Sequence, residues 1–92
     1  MLRITVEEKP EAVVLKLEGR LAGPWAAELD RLWRQMAGNA PSKLALDLRG
    51  TTFADASGIR ILQSIYAQTG AQILTSTPWT QYLAEVVASP NV

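Results

Sequence analysis

The sequence has no cysteine and no histidine. Those absences remove disulfides, thiol nucleophiles, and the thiolate and imidazole ligands of most transition-metal sites. They also remove the side chain that most often serves as a general base near neutral pH. Any catalysis would fall to carboxylates, lysine or hydroxyls, which weighs against an enzyme. Neither sign of charge is in excess: nine Lys and Arg balance nine Asp and Glu, with no polybasic run. Direct binding of nucleic acid through a phosphate-tracking surface is therefore not expected. No apolar run reaches the about 18 residues that a membrane crossing needs. Residues 1–8 alternate and then turn acidic, unlike a signal peptide. A cytoplasmic location without membrane insertion is expected. The glycines stand singly, so no phosphate-cradling loop is present. No second carboxylate stands at a defined spacing from Asp47, which excludes paired-carboxylate chemistry and implies no metal or cofactor.

What is present fits one globular domain over residues 1–92: 48% of the chain is hydrophobic and 20% charged. Leu2, Ile4 and Val6 alternate with Arg3, Thr5 and Glu7, the period of a half-buried strand. After a break at Glu8-Lys9-Pro10-Glu11, Val13, Leu15 and Leu17 alternate in the same way, which predicts an antiparallel hairpin. The stretch Gly19-Arg20-Leu21-Ala22-Gly23 is expected to loosen the chain before Pro24 opens a helix. Trp25, Leu29, Leu32, Trp33 and Met36 give that helix an apolar stripe, and Gly38-Asn39 is expected to stop it.

Leu44, Leu46 and Leu48 mark a third strand, with Asp47 on its outward face. Ile59, Leu62, Ile65 and Tyr66 mark a second helix that Gly70 ends. Residues 71–75 read as a short fourth strand. Thr77-Pro78 caps a last helix carrying Trp79, Tyr82, Leu83, Val86 and Val87, with a stop at Pro90-Asn91. The order β-β-α-β-α-β-α makes parallel crossovers with an antiparallel hairpin at one edge. Because the strands alternate, the fold class expected is α/β: a four-stranded mixed sheet with helices mainly on one face.

The chemistry gathers where the third strand meets the second helix, at Asp55-Ala56-Ser57-Gly58. A helix N-terminus carries unpaired N–H groups and the positive end of the macrodipole. Ser57 could simply cap the helix, or it could carry a phosphate. Asp55 could tie the loop together as an Asx-turn residue. Glycine in a first helical turn costs roughly 0.5–1 kcal/mol against alanine, so Gly58 calls for close approach of another chain segment or a positive φ. Thr51 and Thr52 read as a polar loop or as the rim of a docking face beside Ser57. Phe53 is expected to plug into the core. Trp33 should pack inside, while Trp25 and Trp79, at first turns, could serve as interface anchors. Arg20, Arg49 and Arg60 read as solvated charge, with Arg60 also placed to meet a partner or a phosphate.

The run Leu-Ala-Leu-Asp-Leu, Arg-Gly-Thr-Thr-Phe-Ala, Asp-Ala-Ser-Gly-Ile-Arg-Ile-Leu over residues 44–62 resembles the signature of STAS domains, the family of bacterial anti-sigma factor antagonists. The resemblance extends to the element order. It implies a single STAS-like domain that works by reversible protein docking. In such antagonists, an ATP-binding serine kinase that doubles as the anti-sigma factor phosphorylates the second serine of Asp-Ser-Ser-Gly. That serine falls on Ser57 and the carboxylate on Asp55. Unmodified antagonist binds the kinase and frees a sigma factor; phosphorylation ends the binding and a phosphatase restores it. The docking face so implied comprises Thr51, Thr52, Asp55, Ala56, Ser57, Gly58, Ile59 and Arg60. The first serine of the motif is Ala56 here. Some short, freestanding family members instead serve as non-catalytic subunits on the ATPase of lipid-trafficking ABC transporters, and that alternative stands beside the first. A small enzyme using Asp55 and Ser57 directly lacks an activating base.

Overall fold

Leucines at every second position fix the two central strands, and the rest of the chain packs against them. The computed structural model describes residues 1–37 and 43–89. The elements run β1 (Leu2–Glu8), β2 (Val13–Leu21), α1 (Pro24–Ala37), β3 (Leu44–Ala54), α2 (Ala56–Thr69), β4 (Gln72–Leu74) and α3 (Pro78–Ala88). The sheet order is β1-β2-β3-β4. β1 lies antiparallel to β2, and β2, β3 and β4 are mutually parallel. This is the mixed α/β architecture that the alternation and element order predict.

Leu15 pairs across to Leu46, which pairs to Ile73, so one face of the sheet is aliphatic. Leu15, Leu17, Leu46 and Leu48 are fully buried there against Leu29 of α1, Leu62 and Ile65 of α2, and Leu83 of α3. Each such side chain contributes about 1.5–3 kcal/mol by leaving water. Lys16, Glu18, Asp47 and Arg49 alternate onto the opposite, open face.

Helix ends follow local chemistry. Gly70 takes the left-handed conformation at φ 64° and donates to the Tyr66 carbonyl, closing α2. Thr77 and Thr80 form a reciprocal capping box ahead of α3, with Pro78 in its first turn. The stops expected at Gly38-Asn39 and Pro90-Asn91 lie outside the described residues.

Three expectations are corrected. The loosening expected from Gly19 begins only at Ala22 and Gly23, because β2 reaches Leu21, and the polar loop read at Thr51 and Thr52 is strand, because β3 reaches Ala54. Their ends pair Gly19 with Thr51, Arg20 with Phe53 and Leu21 with Ala54, and two register shifts absorb the irregularity. Gly19 sits at φ 110°, where a side chain would collide with the Met1 carbonyl. Val6 is 37% exposed and Tyr82 60% exposed, although both belong to apolar patterns. Val6 lies past the Leu2–Ile4 end of β1 that borders α1; on α3, Thr80, Leu83 and Val87 take the inner stripe and leave Tyr82 beside it.

Asp47 alternates to the open face as its pattern predicts, yet it is buried there, with Arg49 folded back over it through bonds of 3.0 and 2.9 Å. That guanidinium is the main reason the Asp47 carboxyl titrates below its usual range.

Candidate functional site

The junction between β3 and α2 is tied to the junction between β2 and α1 by one side chain. Asp55 is the N-cap of α2, in extended backbone conformation, and its Oδ1 accepts the Gly58 N–H at 2.8 Å. Its Oδ2 accepts the Gly23 N–H at 3.0 Å, and its own N–H donates to the Leu21 carbonyl at 3.1 Å. The N–H groups of Gly23 and then Gly58 hold the Asp55 carboxyl below its ordinary range. Both oxygens are thus committed to backbone donors, and the group is a poor base: it acts as a clamp.

The clamp explains the glycine after it. A Cβ on Gly58 would stand 2.5 Å from the Leu21 carbonyl oxygen and 2.8 Å from Leu21 Cγ. Close approach of the β2 end, rather than a positive φ, is what excludes a side chain there.

With Asp55 as the cap, Ser57 is left at the second helical position with an exposed side chain. Of the two roles open to it in the sequence, capping belongs to Asp55. Ala56 and Arg60 are also exposed, and Ile59 is half-buried. Thr52 faces solvent at the end of β3. Phe53 does too, at 37% exposure, with the Arg20 guanidinium 4.4 Å from its ring centroid. Phe53 is therefore no core plug; its strand position turns it outward, where a cation covers it.

Thr51 leaves the expected docking face. Its side chain is buried and donates to the Leu17 carbonyl at 3.0 Å, inside the β2–β3 pairing. Gly58 is likewise buried and offers no side chain. Trp79 turns inward far enough for Nε1 to donate to the Thr51 carbonyl at 3.0 Å, whereas Trp25 is 37% exposed. The accessible surface is accordingly Thr52, Phe53, Ala56, Ser57 and Arg60, extended by Arg20 from β2. The Arg20–Phe53 pair was hidden in the sequence because it depends on the β2–β3 register.

Among the described residues no cluster of three or more acidic, histidine or cysteine side chains is placed to hold a metal ion. No described helix is long and apolar enough to cross a membrane.

A family model described as "Mlab, STAS domain" matches residues 4–89. The chain belongs to the STAS domain family. Its fold is similar to that of an anti-sigma factor antagonist from Mycobacterium paratuberculosis, with a TM-score of 0.79 and 22% identity over 89% of this chain and 74% of that one. It is also similar to the anti-sigma factor antagonist SpoIIAA in its unphosphorylated form, with a TM-score of 0.70 and 16% identity over 88% and 80% of the two chains. A STAS domain antagonist from Rhodobacter sphaeroides aligns with a TM-score of 0.59 and 16% identity over 80% and 84%. At these identities the likeness is one of fold. No functionally curated protein matches the chain.

Proposed function

We propose that this STAS domain is a regulatory docking protein of the anti-sigma factor antagonist kind, switched by phosphorylation of Ser57. Its partner on this reading is an ATP-binding anti-sigma serine kinase in the cytoplasm, with a phosphatase to reset the switch. The observation that carries the reading is the division of labour at the start of α2. Asp55 caps the helix, so the exposed Ser57 hydroxyl is free to react without dismantling the cap. A phosphate there adds about −1.5 to −2 charge. It sits favourably on the helix dipole yet places an unmatched charge within a docked interface. One covalent step then abolishes docking and leaves the fold intact.

A second reading keeps the surface and drops the switch: a constitutive, non-catalytic subunit on the ATPase of a lipid-trafficking ABC transporter. Two observations favour it. Ala56 stands in place of the first motif serine, and the matching family model is named for Mlab rather than for the antagonists.

The deciding experiment is the intact mass of the protein recovered from its native cells across growth and stress conditions, with peptide mapping over residues 50–70. Phosphate on Ser57 that is lost in Ser57→Ala supports the switch. An unmodified Ser57 in a stable ATPase complex, indifferent to Ser57→Ala and Ser57→Asp, overturns it in favour of the second reading.

A further inference from the structure

β1 forms one edge of the sheet, bonded to β2 on its inner side. The hydrogen-bond phase of this hairpin is set at both ends. Lys9 and Ala12 exchange backbone bonds of 2.8 and 3.3 Å, and the Arg20 N–H donates to the Met1 carbonyl at 3.1 Å. Bonded and non-bonded pairs alternate along an antiparallel ladder. With the observed register, Arg3, Thr5 and Glu7 therefore turn their backbone groups toward β2. Leu2, Ile4, Val6 and Glu8 turn theirs away from β2, to an edge that no strand among the described residues covers. Such edges invite another strand unless something blunts them.

The five central residues of β1, Arg3 to Glu7, are complementary to themselves in reverse. Laid antiparallel beside a copy of itself about Thr5, the strand sets Ile4 against Val6, Arg3 against Glu7, and Leu2 against Glu8. Every outward-turned position then meets another outward-turned position, as the ladder requires. The two Arg3–Glu7 pairs fall on the open face and the two Ile4–Val6 pairs on the helix face. Val6, 37% exposed, gains apolar cover. The groove of about 270 Å³ lined by Leu2, Ile4, Trp25 and Leu32 opens on the same side of the strand.

We propose that a second copy of this chain pairs antiparallel along β1, centred on Thr5, and joins the two sheets into one. A register shifted by two residues sets Arg3 against Thr5 and forfeits the charge match. Because β3 runs antiparallel to β1, the two Ser57 positions come to opposite ends of the joined sheet. The pairing therefore leaves both docking faces open, and it holds whichever partner they serve.

Sedimentation equilibrium on the whole chain, from micromolar to about 1 mM, should show a monomer–dimer equilibrium. Glu7→Arg, which faces Arg3 twice across the two-fold axis, should weaken the dimer about tenfold. Arg3→Glu should do the same, and the two changes together should restore it. Val6→Pro removes an outward N–H without breaking a bond to β2, and should yield a folded monomer. As concentration rises, amide exchange should slow at Ile4 and Val6. A monomer at every concentration overturns the proposal. So does a dimer indifferent to Glu7→Arg, or folded single variants whose combination fails to restore pairing.

Discussion

Asp55 reaches Gly23, 32 residues earlier in the chain, through a 3.0 Å bond from the glycine N–H to Oδ2. The same carboxylate caps α2, so two junctions share one side chain. Asp55→Ala removes both acceptors at once and leaves two helix-entry donors to water. The thermal midpoint should drop by several degrees. Ser57→Ala, at an exposed position outside the cap, should stay within about 0.5 kcal/mol of the parent. Urea denaturation of the two variants side by side checks the contrast. Equal losses would mean that the hydroxyl shares the capping.

Gly58→Ala tests which of two opposed effects wins. Alanine in a helix interior gains about 1 kcal/mol over glycine. Here the added methyl would stand 2.5 Å from the Leu21 carbonyl oxygen, a backbone atom that also accepts the Asp55 N–H. It cannot swing aside as a side-chain tip can. Overpacking of this kind costs about 1–3 kcal/mol, so the variant should be net destabilised, read as a lower urea midpoint at unchanged m-value.

Two carboxyls make stability sensitive to acid. Asp47 and Asp55 both titrate below the ordinary value of 3.8, Asp47 through Arg49 and Asp55 through the Gly23 and Gly58 N–H groups. As pH falls past that ordinary value, the unfolded chain takes up protons that the native carboxylates still refuse. The unfolded state then binds more protons, so stability falls with pH. The loss continues until the native carboxyls protonate too; above the ordinary value the stabilisation is fully present. Denaturation midpoints measured from pH 7 down to pH 2 should therefore slope downward in the acid range. Asp47→Asn and Asp55→Asn should each flatten that slope.

What was legible in the sequence was local. Leu15 and Leu17, Leu46 and Leu48 announce their strands by period, and Pro24, Gly70 and Thr77-Pro78 mark helix ends by chemistry that acts within one turn. What was hidden depends on partners far along the chain. Thr51 and Thr52 read as a polar loop, yet the pairing of residues 50–54 with Glu18–Leu21 makes them strand. Asp47 reads only as an outward strand position, yet Arg49 folds over it and buries it. At the candidate site Asp55 and Ser57 are both good capping residues, so local propensity could not choose between them. The bond to Gly23 gives Asp55 a second anchor that Ser57 lacks, and that bond exists only in the assembled fold.

The Arg20–Phe53 pair supplies the sharpest test of the docking face proposed above. An exposed aromatic ring with a guanidinium 4.4 Å from its centroid offers a partner a large apolar surface with a positive charge beside it. Aromatic and arginine side chains dominate interface energetics when water is excluded around them. Within the isolated domain the pair is worth only about 0.5–1 kcal/mol, because it stays hydrated. Phe53→Ala should therefore leave stability within about 1 kcal/mol while weakening the partner complex about tenfold or more. Calorimetric titration against the proposed kinase or ATPase partner, beside a urea melt of the free variant, separates the two effects. Unchanged affinity in a folded Phe53→Ala protein would move the docking face away from the end of β3 and onto the α2 residues Ala56, Ser57 and Arg60 alone.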